Sequence, residues 1–144
     1  MTARVQTAPF DLAAEMRGFG EGAGAIVTFS GVVRDDNGRM TALEIEHYPG
    51  MTERALNDYG QEAARRFDLT DWRIIHRHGH LAVGEQIMMV ATAARHRRAA
   101  FDAADYLMDW LKSRAPFWKR EIAHDGSGKW VEAKTSDEEA LTRW

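Results

Sequence analysis

The chain has 144 residues, a formal net charge of −3, 44% hydrophobic residues and no cysteine. Its length and composition predict one soluble domain over residues 1–144, with no membrane segment and a cytoplasmic location. The absence of cysteine excludes disulfides, thiolate metal sites and thiol nucleophiles. Because the net charge is negative, nothing attracts the whole chain to nucleic acid or anionic lipid, and anion binding requires a local basic cluster.

The first element predicted along the chain is a short helix. Asp11 precedes the sequence LAAEMRGF as a helix cap, and the helix ends in the glycine-rich stretch from Gly18 to Gly24. This stretch precedes a strand instead of linking a strand to a helix, and no Gly-Lys-Ser or Gly-Lys-Thr sequence follows it. We therefore do not expect a phosphate-binding loop there.

Four strands and one helix are predicted in the middle of the chain. A β-branched run at residues 25–33 and a second strand at residues 42–47 flank the turn sequence DDNGR, which predicts a hairpin with a mobile tip. Apolar residues at helical spacing predict a helix at residues 52–67. Two further strands, at residues 72–78 and 86–94, are separated by a glycine-containing turn.

A second long helix is predicted to end near Arg114, because Pro116 cannot continue a helix. Lys112 then lies on the last helical turn, and Lys119 lies on the following turn or loop. A short strand at residues 129–133 and a polar tail, either helical or disordered, follow. The residues predicted to form the buried face of the long helix are Phe101, Ala104, Met108 and Leu111.

The order of these elements bears on the fold class. Strands and helices do not alternate as they do in a doubly wound sheet. The order favours an α+β domain in which two main helices pack on a mixed or antiparallel sheet.

A basic cluster, Arg95 to Arg98, lies where a predicted strand meets the long helix. A helix N-terminus offers unpaired N–H groups and positive potential, so this cluster is suited to bind phosphate. Arg34, at the end of the sequence GVVR, carries a guanidinium suited to a phosphate or a planar polar heterocycle. The plainer alternatives are a basic surface patch and a charge at the end of a hairpin.

The segment around Lys112 also allows two interpretations. In the first, Lys112 and Lys119 form half of an anion-binding active site. Phe117 and Trp118 would then lower the pKa of Lys119 by partial desolvation. In the second, Asp109 and Lys112 are an ion pair on a solvated helix face, where such a pair is worth only about 0.2 to 0.5 kcal/mol.

Three histidines, His76, His78 and His80, alternate along one predicted strand. On an unbroken strand they would share a face and could bind zinc. We expect Gly79 to interrupt the strand, and no cysteine or carboxylate completes the set at a familiar spacing. The prediction is therefore that the chain has no metal site.

Six segments resemble a known family, in the same order and over nearly the whole chain. They are GVVR at 31–34, LEIEHYPGMTE at 43–53, HRHGHLAVGE at 76–85, HRRAAF at 96–101, YLMDWLKSRAPFWKRE at 106–121 and WVEA at 130–133. Together they resemble the large, catalytic subunits of molybdopterin synthase, the MoaE family. The segment LKSRAPFWKRE is the most specific of the six.

The resemblance implies an α/β-hammerhead fold and a central homodimer with a small ubiquitin-like subunit at each end, which makes a heterotetramer. It also implies a sulfurtransferase reaction, in which cyclic pyranopterin monophosphate receives two sulfurs and becomes the dithiolene molybdopterin during molybdenum cofactor biosynthesis. The sulfur would come from a thiocarboxylate at the C-terminal Gly-Gly of the small subunit. No cofactor is implied.

The resemblance also assigns site residues. The family's essential lysines correspond to Lys112 and Lys119. The substrate-binding positions correspond to Val32, Val33, Arg34, His96, Arg97, Lys112, Lys119, Arg120 and Glu121. Two positions depart from the family pattern: Val32 stands where some relatives have lysine, and Arg95 is larger than the small residue expected before the His-Arg pair.

General chemistry suggests how these residues would divide the work. A thiocarboxylate is already an anionic nucleophile, so cations are needed more than a strong base. Lys112 is predicted to contact the incoming glycine terminus and to act in acid–base steps, while Lys119 holds substrate and stabilises charge. Arg34, His96 and Arg97 are predicted to bind phosphate and pterin.

Two other functions remain open at this point. The same basic residues would also suit a non-catalytic module that binds a phosphorylated pterin or a nucleotide-like ligand. A scaffold that only docks partners through an apolar surface would bind no pterin phosphate.

Overall fold

The computed structural model describes residues 1–144, which form two four-stranded sheets and four helices. The strands are β1 (Thr2–Gln6), β2 (Ala25–Val32), β3 (Met40–His47), β4 (Leu69–Arg77), β5 (Gly79–Ala82), β6 (Gln86–Ala94), β7 (Phe117–Ala123) and β8 (Gly128–Trp130). The helices are α1 (Leu12–Met16), α2 (Met51–Phe67), α3 (Arg97–Ser113) and α4 (Thr135–Ala140), and a 3-10 turn follows at Leu141–Arg143. No helix has both the length and the apolar character needed to cross a membrane.

The two sheets differ in strand direction. The first sheet has the order β1-β4-β6-β2, in which β1 runs parallel to β4 and the other pairs are antiparallel. The second sheet has the order β5-β3-β7-β8 and is antiparallel throughout. The predicted α+β class with mixed and antiparallel pairing is confirmed, although the strands are divided between two sheets.

The predicted hairpin between the second and third strands is wrong. β2 pairs with β6, whereas β3 pairs with β5 and β7 in the other sheet. After an irregularity between Gly31 and Val32, the N–H of Val33 donates to Glu85 O at 2.9 Å, and Gly84 N–H donates to Val33 O at 2.9 Å. These bonds hold Val33 against the turn before β6, so the DDNGR turn carries the chain from one sheet to the other.

The main core lies between the first sheet and the pair α2 and α3, as predicted for two packed helices. Trp72 of β4, which is 1% exposed, packs under α2. A Cβ atom added to Gly60 of α2 would lie 2.3 Å from the Trp72 ring, so the helix approaches the sheet at the one residue that lacks a side chain.

The buried face of α3 differs from the predicted one. Ala104 and Leu111 are buried as expected, but Phe101 is 55% exposed. The face that meets the sheet instead runs through Ala100, Ala103, Leu107 and Leu111. Small alanines bring the helix close enough for Thr92 Oγ on β6 to donate a hydrogen bond to Ala100 O at 2.7 Å.

The ion pair considered between Asp109 and Lys112 does not form. The Asp109 carboxylate pairs with Arg143 and accepts a hydrogen bond from Trp144 Nε1 at 2.6 Å. The Trp144 ring also packs edge-on against Phe67 and Tyr106. The polar tail is therefore helical and anchored on α3.

Several strands were not predicted. β1 and β5 were missed, and Lys119 lies on β7 instead of a turn or loop. The sequence FWKREIA has charged residues on both faces, so periodicity alone did not reveal it as a strand. It becomes one because β3 and β8 supply hydrogen-bonding partners on both sides.

The three histidines have separate environments. The strand is interrupted as expected, since β4 ends at Arg77 and β5 begins at Gly79, whose φ is +94°. His76 is buried, while His80 is exposed with its Nδ1 3.7 Å from a Glu44 carboxylate oxygen. His78 packs beside a residue of another strand, His47, with ring centroids 4.1 Å apart. The absence of a metal site stays a prediction.

Candidate functional site

A cavity of about 670 Å³ lies where the two sheets meet the end of α3. Its walls come from the end of β2 and the following loop, from the last turn of α3, from β7 and from the C-terminal segment. The charged side chains that line it are Arg34, Asp36, Lys112, Lys119, Glu121, Glu132, Lys134 and Asp137. A cavity of this size and mixed lining is typical of a small-molecule site.

The local sequence explains why both lysines reach this cavity. α3 ends at Ser113, so Lys112 lies on its last turn, and Pro116 precedes the start of β7. Side chains alternate along a strand, which places Phe117, Lys119 and Glu121 on one face of β7. Lys112 and Lys119 therefore enter the same cavity from a helix end and from a strand.

The two lysines differ in environment. Burial, and after it the charge of Lys112, lowers the pKa of Lys119 from 10.5 to about 8, while Asp137 acts in the opposite direction. Lys112 is exposed to the cavity and the solvent. A lysine with a pKa close to the physiological range can stabilise a nearby negative charge while it is protonated, and it can also donate its proton.

The predicted residues at the end of β2 also line the cavity. Val32 is 49% exposed, whereas Val33 is 3% exposed and held by its backbone bonds to the neighbouring turn. Arg34 follows directly and is exposed at the cavity. The buried Val33 therefore fixes where the Arg34 guanidinium can reach.

The structure does not bring Arg120 into the cavity. This residue lies on the opposite face of β7 from Lys119, where its guanidinium pairs with Glu44 of β3. The Arg120 guanidinium carbon also lies 5.7 Å from the centre of the Trp130 ring. Its assignment to substrate binding stays a prediction, and in this chain its contacts are with the second sheet.

His96 and Arg97 lie at the other end of α3. His96 caps the helix and Arg97 begins it, and both are exposed. The fifteen residue-to-residue steps from Arg97 to Lys112 correspond to about 22 Å of helix at about 1.5 Å per step. One chain therefore does not bring the basic cluster and the two lysines into one cavity.

The C-terminal segment contributes residues that sequence reasoning missed. Val131, Glu132, Lys134 and Asp137 line the cavity. Val131 and Glu132 lie in the family-like segment WVEA, which could have marked them, whereas no motif or apolar periodicity marks Lys134 and Asp137. With these residues included, four basic and four acidic side chains line the cavity, so a single chain does not present a strongly positive pocket.

These features define an α+β protein with a preformed pocket of small-molecule size, in which burial lowers the pKa of one lysine. A family model described as MoaE protein matches residues 5–114. The chain belongs to the MoaE protein family.

Individual relatives match this chain over nearly its full length. The chain is 57% identical, over 100% of both chains, to a molybdopterin synthase catalytic subunit from Cereibacter sphaeroides. A solved structure of the molybdopterin biosynthesis MoaE protein from Burkholderia ambifaria superposes with a TM-score of 0.84 at 48% identity, covering 99% of this chain and 97% of that one.

A more distant structure shares only the fold. It belongs to a complex of subunits 1 and 2 of molybdopterin-converting factor from Helicobacter pylori, with a TM-score of 0.74 at 18% identity, covering 92% of this chain and 90% of that one.

Proposed function

We propose that this protein is the catalytic subunit of a molybdopterin synthase, a sulfurtransferase that converts cyclic pyranopterin monophosphate to the dithiolene molybdopterin. The observation that carries the proposal is the meeting of Lys112 and Lys119 in one cavity, in a chain 57% identical to a protein of that name. The sulfur comes from the C-terminal thiocarboxylate of a small ubiquitin-like subunit, since this chain has no thiol of its own.

The proposed roles follow from charge and burial. Lys112, exposed at the cavity, meets the anionic tail of the small subunit. Each transfer forms a carbon–sulfur bond on the pterin and expels an oxygen from the same carbon, and the Lys119 ammonium is the proton donor for that oxygen. Water then cleaves the acyl–sulfur bond, which leaves the sulfur on the pterin and returns the small subunit with a C-terminal carboxylate. Because the pKa of Lys119 is about 8, the residue is protonated at neutral pH yet gives up its proton readily. Arg34 binds the phosphate or the pterin.

The small subunit is proposed to dock on an exposed aromatic surface beside the cavity. Tyr48, Met51 and Trp118 are each about half exposed, at 57%, 49% and 49%, and the Tyr48 and Trp118 rings lie 6.4 Å apart. Trp118 and Val131 also line the cavity. A partner seated on this aromatic surface can pass a narrow glycine-ended tail directly to the lysines.

A homodimer is proposed through the edge of the first sheet. β2 is an eight-residue edge strand, and it carries exposed apolar side chains at Ile26 (50%), Phe29 (42%) and Val32 (49%). Phe101 is also exposed, on α3, the helix that packs against β2. A long apolar edge with unpaired backbone groups is suited to pair with a second copy.

Pairing of β2 with its copy would complete the site. Ala25 at the start of β2 is in register with Ala94, next to the basic cluster, while Val32 at its end lines the cavity. An antiparallel pair of β2 strands places each start beside the partner's end. His96 and Arg97 of one protomer then face the cavity of the other. They add positive charge to a cavity in which the acidic and basic side chains of a single chain are equal in number.

The experiment supplies the cyclic substrate together with thiocarboxylated small subunit, carboxylated small subunit or inorganic sulfide, and pterin products are measured by mass spectrometry. Molybdopterin should form only with the thiocarboxylated subunit, while the carboxylated subunit should bind without reaction. Efficient product from sulfide without a partner would contradict the proposal. Substrate that binds but is recovered unchanged would favour the non-catalytic binding module, and no pterin binding at all would favour a scaffold.

A further inference from the structure

A second, smaller cavity of about 140 Å³ lies directly behind the two lysines. The two cavities have five lining residues in common, and the two lysines are among them, so the lysine side chains stand at the junction; the shared residues are Val32, Ile87, Leu111, Lys112 and Lys119. The remaining side chains around the small cavity are apolar except for His76. His76 therefore provides the only side-chain nitrogen or oxygen there that can accept a hydrogen bond from a lysine.

The surroundings of His76 fix its tautomer. The side chain is 4% exposed, and its ring stacks on Phe117 with centroids 3.7 Å apart and an interplanar angle of 19°. His76 Nδ1 lies 2.8 Å from Arg77 O, and because a carbonyl oxygen only accepts, Nδ1 carries the hydrogen and donates it. The other ring nitrogen, Nε2, is then an acceptor.

The ring stays neutral. Burial, and after it the charge of Lys119, lowers the pKa of His76 to about 3, with smaller contributions from His78 and His47 in the same direction. The hydrogen bond to the backbone of Arg77 acts in the opposite direction. Throughout the working pH range, His76 thus presents a neutral lone pair instead of a competing positive charge.

Two features direct that lone pair toward Lys119. His76 Nε2 makes no hydrogen bond and is not fully enclosed, and the residue lines the small cavity together with Lys119. Phe117, on which the ring stacks, lies on the same face of β7 as Lys119. The other charged groups that act on Lys119 are Lys112, Lys134 and Asp137, and no carboxylate lines the small cavity.

Lys119 Nζ makes no hydrogen bond to His76 in the rotamer described, but both side chains line the small cavity. We propose that His76 is a positioning residue for Lys119: when the lysine side chain turns into the small cavity, Nζ donates a hydrogen bond to the free Nε2, which holds the amine at the junction of the two cavities. The interaction stabilises the ammonium form and limits how far the lysine can turn away from the large cavity. The inference rests on the proposed function only in that the proposed function makes Lys119 catalytic. The hydrogen bond itself does not require turnover.

The test compares His76→Asn with His76→Gln. The Asn amide nitrogen can replace Nδ1 at Arg77 O but leaves nothing at the position of Nε2, whereas Gln can reach that position. Both remove the ring stack. His78→Asn, two residues further on and outside the cavity, is the matched control.

Lys119 is titrated by its rate of reaction with limiting acetic anhydride at a series of pH values, measured by peptide mass spectrometry. We expect His76→Asn to lower the pKa of Lys119 by about one unit, with Gln and the control close to wild type. The alkaline limb of the kcat profile should move by the same amount, with KM within about twofold.

An unchanged Lys119 titration in a folded Asn variant, or equal shifts in Asn and Gln, would overturn the inference. If the Asn variant does not fold, His76→Phe keeps the stack and should show the same lowering. Because acetylation needs no substrate, a failure of sulfur transfer would contradict the proposed function and leave this test intact.

Discussion

At the scale of single residues, the burial that lowers the pKa of Lys119 also reduces the free energy of unfolding. Burying an ammonium group in the cavity wall disfavours its charged form, and no carboxylate pairs with it closely enough to restore the usual pKa. The same burial that lowers the pKa of Lys119, and so would suit it to the proposed proton transfer, makes the folded state less stable below the lowered pKa.

Replacing this lysine should therefore stabilise the protein at neutral pH. The folded-state pKa of about 8 lies below the unfolded value of 10.5, so the penalty is fully present below pH 8 and disappears as the pH rises through 10.5. Lys119→Met should gain up to roughly 3 kcal/mol at pH 7, with the gain shrinking between pH 8 and pH 10.5. Urea unfolding at several pH values measures this. The exposed Lys112→Met is the control, and parallel stability curves for Lys119→Met and wild type would contradict the account.

Removing either lysine should also stop turnover. Lys112→Ala and Lys119→Ala are each expected to reduce kcat by about 10²-fold or more, because both groups serve charge that develops in the transition state. Circular dichroism should remain unchanged. Lys129→Ala, which changes an exposed lysine outside the cavity, should keep normal activity. Near-normal rates in both cavity variants would remove the active-site assignment.

Sequence reasoning placed some of these residues and missed others for definable reasons. Lys112 and the helix end at Arg114 were predictable because Pro116 stops a helix by local sterics alone. Lys134 and Asp137 were not predictable, since only the folded tail brings them to the cavity. His76 was considered as a metal ligand, and only its burial and its stack on Phe117 indicate the different role proposed here.

At the scale of helices and strands, close packing outweighs intrinsic propensity. Alanine is a better helix former than glycine by about 1 kcal/mol, yet α2 has Gly60 at its closest approach to the sheet. The Trp72 ring fills the space that a side chain would occupy.

Gly60→Ala should therefore destabilise the protein, by about 1 to 3 kcal/mol, through overpacking against Trp72. Thermal or urea unfolding provides the measurement. Gln61→Ala, one residue further along and exposed, should be close to neutral. A more stable Gly60→Ala variant would show that helix propensity decides at this position and that Trp72 can move aside.

The edge of the first sheet allows a second prediction. Ile26→Lys puts a charge on an exposed position of β2, which is tolerated in a monomer but opposes pairing of two such strands. Sedimentation or light scattering should show a shift from dimer to monomer. Val83→Lys, at a comparably exposed valine before β6, should leave the assembly unchanged. A dimeric Ile26→Lys variant would place the interface elsewhere.

The boundaries of elements were predicted best where local signals were strong. β6 was predicted at its observed limits, Gln86–Ala94, because a long apolar run is bounded by a turn and by a helix start. The pairing of β2 was not predictable. The DDNGR turn is compatible with a hairpin, and only the long-range bonds of Val33 to Glu85 and Gly84 decide that the chain leaves the first sheet.

At the scale of the whole molecule, the balanced charge of the cavity means that one chain alone would be a weak version of the proposed phosphate-binding site. Four acidic and four basic side chains line it, while the basic cluster from Arg95 to Arg98 is exposed at the far end of α3. The proposed exchange of residues between protomers would account for both observations.

Complementation between inactive variants tests this arrangement. A heterodimer of Lys119→Ala with His96→Ala/Arg97→Ala, isolated with two different affinity tags, should have one intact site of two. It should recover about half of wild-type activity at low substrate concentration, although each parent homodimer is nearly inactive. If both sets of residues act within one chain, neither site of the heterodimer is intact and no activity returns.

The anchored tail has a consequence for how the pocket keeps its shape. The segment from Val131 to Asp137 closes one side of the cavity, and beyond it Trp144 is fixed by Asp109 and by the rings of Phe67 and Tyr106. The segment is thus restrained at both ends, by β8 before it and by the packed tryptophan after it. The shape of the pocket therefore depends on residues that do not line it. Substitutions at the Trp144 contacts on α3 can change which ligands fit the pocket, although they alter none of its lining residues.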